Sequence, residues 1–247
     1  MLSRNTAAAV AAAMLSCGPS AAQEIVGGDV TLGYSGFDEQ VATADGNKRL
    51  GRLFGAASGE IGLNSMFSLQ GDIGYHWFNA SEEDALNVAL HAVYNVNESS
   101  ALGLFFGNES IGGVDSNFYG IEGAVAASSF RFEGYYLEIE EGAARGVDMV
   151  GIDAAFDVNR RFAVGVGYDQ IGYDGPGDLS RLAISGEYEV EDGASLYVEI
   201  GSASADAGSS VPSLSENFLG IGVEYNLGPN RGTTFDRRSL ADLIPGF

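Results

Sequence analysis

From Glu24 onward, apolar and polar residues alternate with a period of two rather than 3.6, in recurring blocks of about ten to fourteen residues. The clearest block covers 85–95, where Leu86, Val88, Leu90, Ala92 and Tyr94 share one face and Asn87, Ala89, His91 and Asn95 the other. The segment 67–77 repeats it, with Leu69, Ile73, Tyr75 and Trp77 opposed by Ser68, Gln70, Asp72 and His76. The same alternation continues to the block that sets Leu219, Ile221, Val223, Tyr225 and Leu227 against Gly220, Gly222 and Glu224. The pattern predicts strands near 25–36, 51–63, 66–78, 85–95, 100–108, 117–127, 129–139, 146–157, 161–171, 180–190, 194–203 and 215–227. That is about twelve, within a range of 10 to 14.

The connections alternate in length. Short ones at 64–65, 95–99, 128–129, 158–160 and 191–193 are interleaved with longer, more polar ones at 37–50, 79–84, 108–116, 140–145, 172–179 and 204–214. A transmembrane β-barrel with both termini in the periplasm has this rhythm of short periplasmic turns and longer outer loops. The segment 129–139 fits least well, since Phe130, Phe132 and Tyr136 share a face with Glu138, while Tyr135, Leu137 and Ile139 share one with Arg131 and Glu133. A bulge or a change of parity is the expectation there.

A soluble sandwich or solenoid also alternates. Here, however, one face is almost continuously bulky and apolar, as lipid contact requires, and the other carries Asp, Glu, Asn, Gln and His at strand centres, where a sandwich core would be apolar. Aromatic residues gather toward strand ends, as at Tyr34 and Phe37, Tyr75 to Phe78, Phe118 and Tyr119, and Tyr168 and Tyr173, which suits girdles at the membrane interface.

The first 22 residues differ in kind: Arg4, an apolar run from Thr6 to Leu15 and the small residues Ser20-Ala21-Ala22 form an export signal too short to span a bilayer. The single cysteine, Cys17, lies inside it, so the mature chain forms no disulfide, and the residues before Cys17 fit a lipoprotein site poorly. The organisation expected is a signal peptide over 1–22, a barrel over 23–227 and a C-terminal tail over 228–247, periplasmic or lumenal. Once Arg4 is removed, 11 basic residues face 34 acidic ones, which disfavours nucleic acid as a partner.

The export signal, Gly-Asp-Val-Thr-Leu-Gly-Tyr at 28–34, Leu-Gln-Gly-Asp-Ile-Gly-Tyr at 69–75 and Gly-Ile-Gly-Val-Glu-Tyr-Asn-Leu at 220–227 resemble small porin-like outer-membrane proteins of proteobacteria. The resemblance covers most of the mature chain and is one of pattern rather than of a diagnostic motif. It implies an outer-membrane location, contact with outer-membrane lipid and lipopolysaccharide, passage of small hydrophilic solutes and, as often in such proteins, a homo-oligomer. The chain departs from the resemblance at its end. Such proteins finish on an aromatic residue of the last strand, whereas Phe247 follows Pro245 in a segment that is not strand-like.

The inward candidates are Asp72, His76, His91, Glu122, Asp153, Asp169, Arg181, Glu187, Glu189, Glu199 and Glu224. A water-filled lumen walled by one sign of charge concentrates counter-ions, so a conducting pore would favour cations. The plainer role is solvation of the inner wall or pairing with Arg131 and Arg181. The tail holds Arg231, Arg237 and Arg238 beside a short helix expected over 236–243, and it is expected either to dock at the periplasmic mouth and gate the pore or to be a frayed extension. Neither His76 nor His91 sits in a His-x-Ser arrangement, and no ligand spacing or phosphate loop occurs, so no enzyme, cofactor or metal is expected. The acidic runs near 81–84, 138–141 and 174–178 lack a calcium-loop pattern and read as solvated loops. The chain therefore reads as an all-β antiparallel transmembrane barrel, a porin-like and cation-biased passage, with a non-conducting structural or surface-interaction barrel as the alternative.

Overall fold

The computed structural model describes residues 24–43, 46–141, 144–173, 177–206, 214–229 and 232–243, so the expected signal peptide lies outside the described residues. Twelve strands follow in order: β1 (Glu24–Thr43), β2 (Gly46–Gly62), β3 (Phe67–Phe78), β4 (Asp84–Asn97), β5 (Ser100–Ile111), β6 (Val114–Ala127), β7 (Phe130–Glu141), β8 (Ala144–Asn159), β9 (Phe162–Tyr173), β10 (Asp178–Glu191), β11 (Ala194–Asp206) and β12 (Leu214–Leu227). Each pairs antiparallel with its chain neighbours, and β1 pairs with β12 from Gly28 opposite Leu227 to Phe37 opposite Phe218, which closes the barrel.

Period-two alternation lets such a sheet satisfy two solvents. Leu32, Leu104, Ile121, Ile184, Ile200 and Leu219 point outward and are all more than half exposed, while the residues between them turn inward. An apolar surface this continuous is stable only against lipid, and lipid supplies no partner for backbone N–H and C=O groups, so the sheet must close. The chain is an outer-membrane β-barrel.

Most strands outrun the roughly 9–11 residues that cross a bilayer. The polar stretches 37–50 and 108–116, expected as loops, are largely strand: β1 and β2 pair as far as Thr43 opposite Gly46, and β5 and β6 as far as Ile111 opposite Val114. Hydrogen bonding continues beyond the membrane after the apolar face has ended, so hydropathy alone marks the strand as finished too early. Gly112 and Gly113, at φ 56° and 84°, close the β5–β6 hairpin in the two-residue turn that needs positive φ at both positions.

The expected irregularity near 129–139 is absent. β6 and β7 pair without a shift from Ala127 opposite Phe130 to Asn117 opposite Glu140, and the only shift with β8 lies at Ile139/Glu141. Glu138 faces outward, where the Tyr119 hydroxyl donates to it at 2.8 Å. Leu137 and Ile139 face inward and are buried because something apolar meets them: with Phe105, Phe118, Met149 and Ile171 they enclose Leu240 and Leu243 of the tail.

The tail turns in after β12 at the end of the barrel that carries the short turns. Gly228 and Gly232 adopt φ 81° and 115°, and a Cβ on Gly27 would stand 1.8 Å from the Gly232 carbonyl oxygen, so the tail enters backbone against backbone. It then climbs the lumen to a single 3₁₀ turn, Leu240–Leu243, shorter than the helix expected over 236–243.

The two faces predict opposite responses to charge. Ile184→Arg, on the lipid side, is expected to lower unfolding stability in vesicles by about 2–4 kcal/mol, whereas Ser185→Arg, on the lumen side of the same strand, should change it by under about 1 kcal/mol. Urea titration of the refolded protein distinguishes them.

Candidate functional site: a divided lumen

The tail does not extend the sheet. It is held by side chains of β2, β3 and β5–β7 that reach for its peptide groups. Glu60 accepts from the Thr234 N–H at 2.7 Å and from its hydroxyl at 3.0 Å. The Gln70 amide accepts from the Phe235 N–H at 3.1 Å and donates to the Phe235 carbonyl at 2.8 Å, copying with a side chain the two-way bonding of a strand pair. Both oxygens of Glu133 lie 3.2 Å from the Asp236 nitrogen. Glu109 accepts from the N–H groups of Leu240 at 2.5 Å and Ala241 at 3.1 Å and from the Ser239 hydroxyl at 2.9 Å, so a carboxylate sits on the exposed donors of the 3₁₀ turn, where negative charge is favoured.

Charge pairing follows the same path. Arg238 is buried, bonds to Glu122 through Nε at 3.1 Å and Nη2 at 3.0 Å, pairs with Glu133 and lies 4.2 Å from the Tyr135 ring centroid. Arg52 of β2 donates to the Ala241 carbonyl and to Asp242 at 2.9 Å, and Arg237 reaches the other Asp242 oxygen at 3.2 Å. Burial by itself would raise the Asp242 carboxyl, but the guanidinium groups of Arg237 and Arg52 outweigh it and hold the group well below the usual carboxylate range.

Beneath Arg238, His91 lies between two carboxylates: Nδ1 is 2.6 Å from Glu122 and Nε2 is 2.8 Å from Asp72, all three fully buried. A carboxylate at each ring nitrogen is the arrangement that uses both N–H groups of an imidazolium. Phe105 and Phe235 stack on the ring at 5.5 and 6.5 Å. His76 is stacked on Phe54 and its Nε2 is 3.4 Å from the Ser239 hydroxyl, but that hydroxyl is buried and engaged by Glu109. Asp72, His76, His91 and Glu122 thus belong to the wall behind the tail.

The other half of the lumen, along β8–β12 and β1, is open. Two adjoining cavities of about 440 and 540 Å³ share Asp153, Arg181, Glu187, Glu199 and Glu224 in their walls. Arg181 pairs with Asp169 at 3.2 Å and Glu199 at 2.5 Å, and the Tyr135 hydroxyl donates to Asp169 at 2.7 Å. Among the described residues no arginine pairs with Asp153, Glu187 or Glu224. Glu224 lines both cavities beside Glu187 and accepts from the Asn226 side-chain amide at 2.9 Å. Glu189 sits apart near the β10–β11 turn, where it accepts from the Gly193 N–H at 3.4 Å.

Arg52, Glu109, Glu133, Ser239 and Asp242 were not among the inward candidates. The alternation places Glu109 in a loop, whereas on β5 it keeps the inward parity of Phe105 and Gly107. Among the described residues no group of three or more His, Cys, Asp or Glu could hold a metal ion.

No protein-family model and no curated protein matches the sequence. Solved structures do match its fold. The NanC porin aligns at 12% identity with a TM-score of 0.57, covering 80% of this chain and 98% of that one. The KdgM porin aligns at 13% identity and 0.56 over the same shares, and an outer-membrane channel from Pseudomonas putida F1 at 11% and 0.51 over 85% and 100%. The fold is that of a porin-like outer-membrane barrel.

Replacing His91 with Ala leaves Asp72 and Glu122 buried without their shared donor, and it is expected to cost about 3–5 kcal/mol of unfolding stability. A loss below about 1 kcal/mol, as for an exposed ion pair, would show that the ring is not charged between them.

Proposed function

We propose that the barrel is a passive channel for small hydrophilic solutes, with a preference for cations, and that they pass along the half-lumen bounded by β8–β12 and β1. The observation that carries this reading is the unequal division of the inner wall: Arg237 and Arg238 of the tail are engaged by Asp242, Glu122 and Glu133, while on the open side Asp29, Asp153, Glu187, Glu199 and Glu224 outnumber Arg131 and Arg181, and among the described residues no arginine forms an ion pair with Asp153, Glu187 or Glu224. A narrow aqueous path with an excess of one sign of fixed charge enriches the opposite ion and raises the barrier to its own sign. One structural neighbour is described as the KdgM porin in complex with disordered oligogalacturonate, a polyanion. The acidic half-lumen here does not suit such a solute, so the fold carries over to this chain and that ligand does not.

The other reading is a non-conducting barrel that works through its surface, and the tail filling half of the lumen is what favours it. Planar-bilayer recording separates the two. In a salt gradient the purified full-length protein is expected to give steps of current with a reversal potential of cation sign. Anion preference, or silence under all voltages, would overturn the channel reading.

Selectivity should follow the unpaired acids. Glu187→Gln with Glu224→Gln is expected to move the reversal potential toward zero. The same change at Glu199, already paired with Arg181, should move it less.

A further inference from the structure

The barrel is complete without its tail. β12 ends at Leu227 already paired with β1 and β11, and among the described residues no backbone-to-backbone hydrogen bond joins 232–243 to any strand. The segment is held by side chains alone, as a bound peptide is. The wall that receives it is specialised for this: Glu60, Gln70, Glu109, Glu122 and Glu133 meet five peptide N–H groups and one guanidinium, and an apolar pocket takes the leucines of the last turn. With the tail in place these side chains are buried or half-buried, and its N–H and guanidinium groups are the partners their acceptor oxygens require. Once the tail has left, the wall attracts a ligand of like chemistry.

We infer that the inner wall of β2–β7 is a binding strip for an arginine-bearing peptide, occupied at rest by the protein's own residues 232–243, so that a peptide offering arginine to Glu122 and Glu133 from the short-turn end displaces the tail. The ligand class follows from the contacts. An arginine must reach both glutamates with its Cζ over the Tyr135 ring, which the compact ammonium of a lysine does not reproduce, and an apolar residue must follow at the spacing of Leu240. The site opens toward the end at which the tail enters, the periplasmic one in barrels of this kind. Leaving it changes the lumen from divided to whole. The inference rests on the channel reading only for its electrical consequence, because occupancy of the strip is measurable without current.

The test keeps the full chain through folding. A protease site inserted after the exposed Pro229 is cut once the protein is in bilayers or vesicles, and a fluorescent peptide of residues 232–243 is then added in excess. The peptide is expected to exchange with the severed tail and bind saturably, and its Arg238→Ala form to bind at least about tenfold more weakly, a difference of about 1.4 kcal/mol. Under the channel reading, loss of the severed tail should raise single-channel conductance roughly twofold as the lumen becomes whole, and added peptide should restore the original level. A severed tail that never exchanges, or an Arg238→Ala peptide that binds equally well, overturns the binding strip. Specific binding with no current under any condition leaves the strip standing and overturns the channel instead. As an uncut control, Gly27→Val obstructs the point where Gly232 enters. In that background a thiol placed by Ser239→Cys should react with an aqueous maleimide faster than in the otherwise unaltered chain, and equal protection in both would contradict displacement of the tail.

Discussion

Closure of the sheet is the constraint from which the rest follows. A bilayer offers nothing to an unpaired N–H or C=O, so the pairing of β1 with β12 turns twelve amphipathic strands into a wall without edges. Closure also creates an interior. The wall must present one face to lipid, and alternation then obliges every second residue to face a lumen whose contents the bilayer does not determine. This chain settles the matter by laying its own C-terminal segment along one side of the lumen and lining the other with acids that outnumber Arg131 and Arg181.

The two halves illustrate different uses of a carboxylate. Behind the tail, Glu60, Glu109, Glu122 and Glu133 are buried and matched to N–H groups, to a guanidinium or to an imidazole, so their charge is absorbed into structure. Across the lumen, Asp153, Glu187 and Glu224 line a cavity that also holds Arg131 and Arg181 but, among the described residues, form no ion pair with either, and their field is available to whatever passes. A net charge read from the sequence cannot make this distinction, because it depends on which acids the arginines of the tail reach.

The strands were legible because lipid enforces a period of two over long stretches, and all twelve appear where the alternation places them. Their outer ends were not, since Glu109 and its neighbours lie where the apolar half of the pattern has lapsed while the ladder continues. The segment 129–139 is more instructive. Its inward Leu137 and Ile139 do not suit a polar lumen, and the alternation does not say which strands a tail in that lumen would touch. They are apolar because Leu240 and Leu243, a hundred residues later, come to rest on them. Arg52 has the same explanation: its partners, the Ala241 carbonyl and Asp242, are supplied by the tail. Periodicity reports the solvent around a strand and is silent about a ligand the chain makes for itself.

The division of the lumen is tested most directly by thiol accessibility in conducting bilayers. Cysteines introduced singly at Asp153, Glu187, Glu224, Gln70 and Glu109 of the full-length protein would be exposed to a small cationic thiol reagent while current is recorded. The divided lumen predicts rapid reaction and a fall in cation current at 153, 187 and 224, with protection at 70 and 109. Equal reactivity at all five positions, or protection of the β8–β12 side, would contradict it.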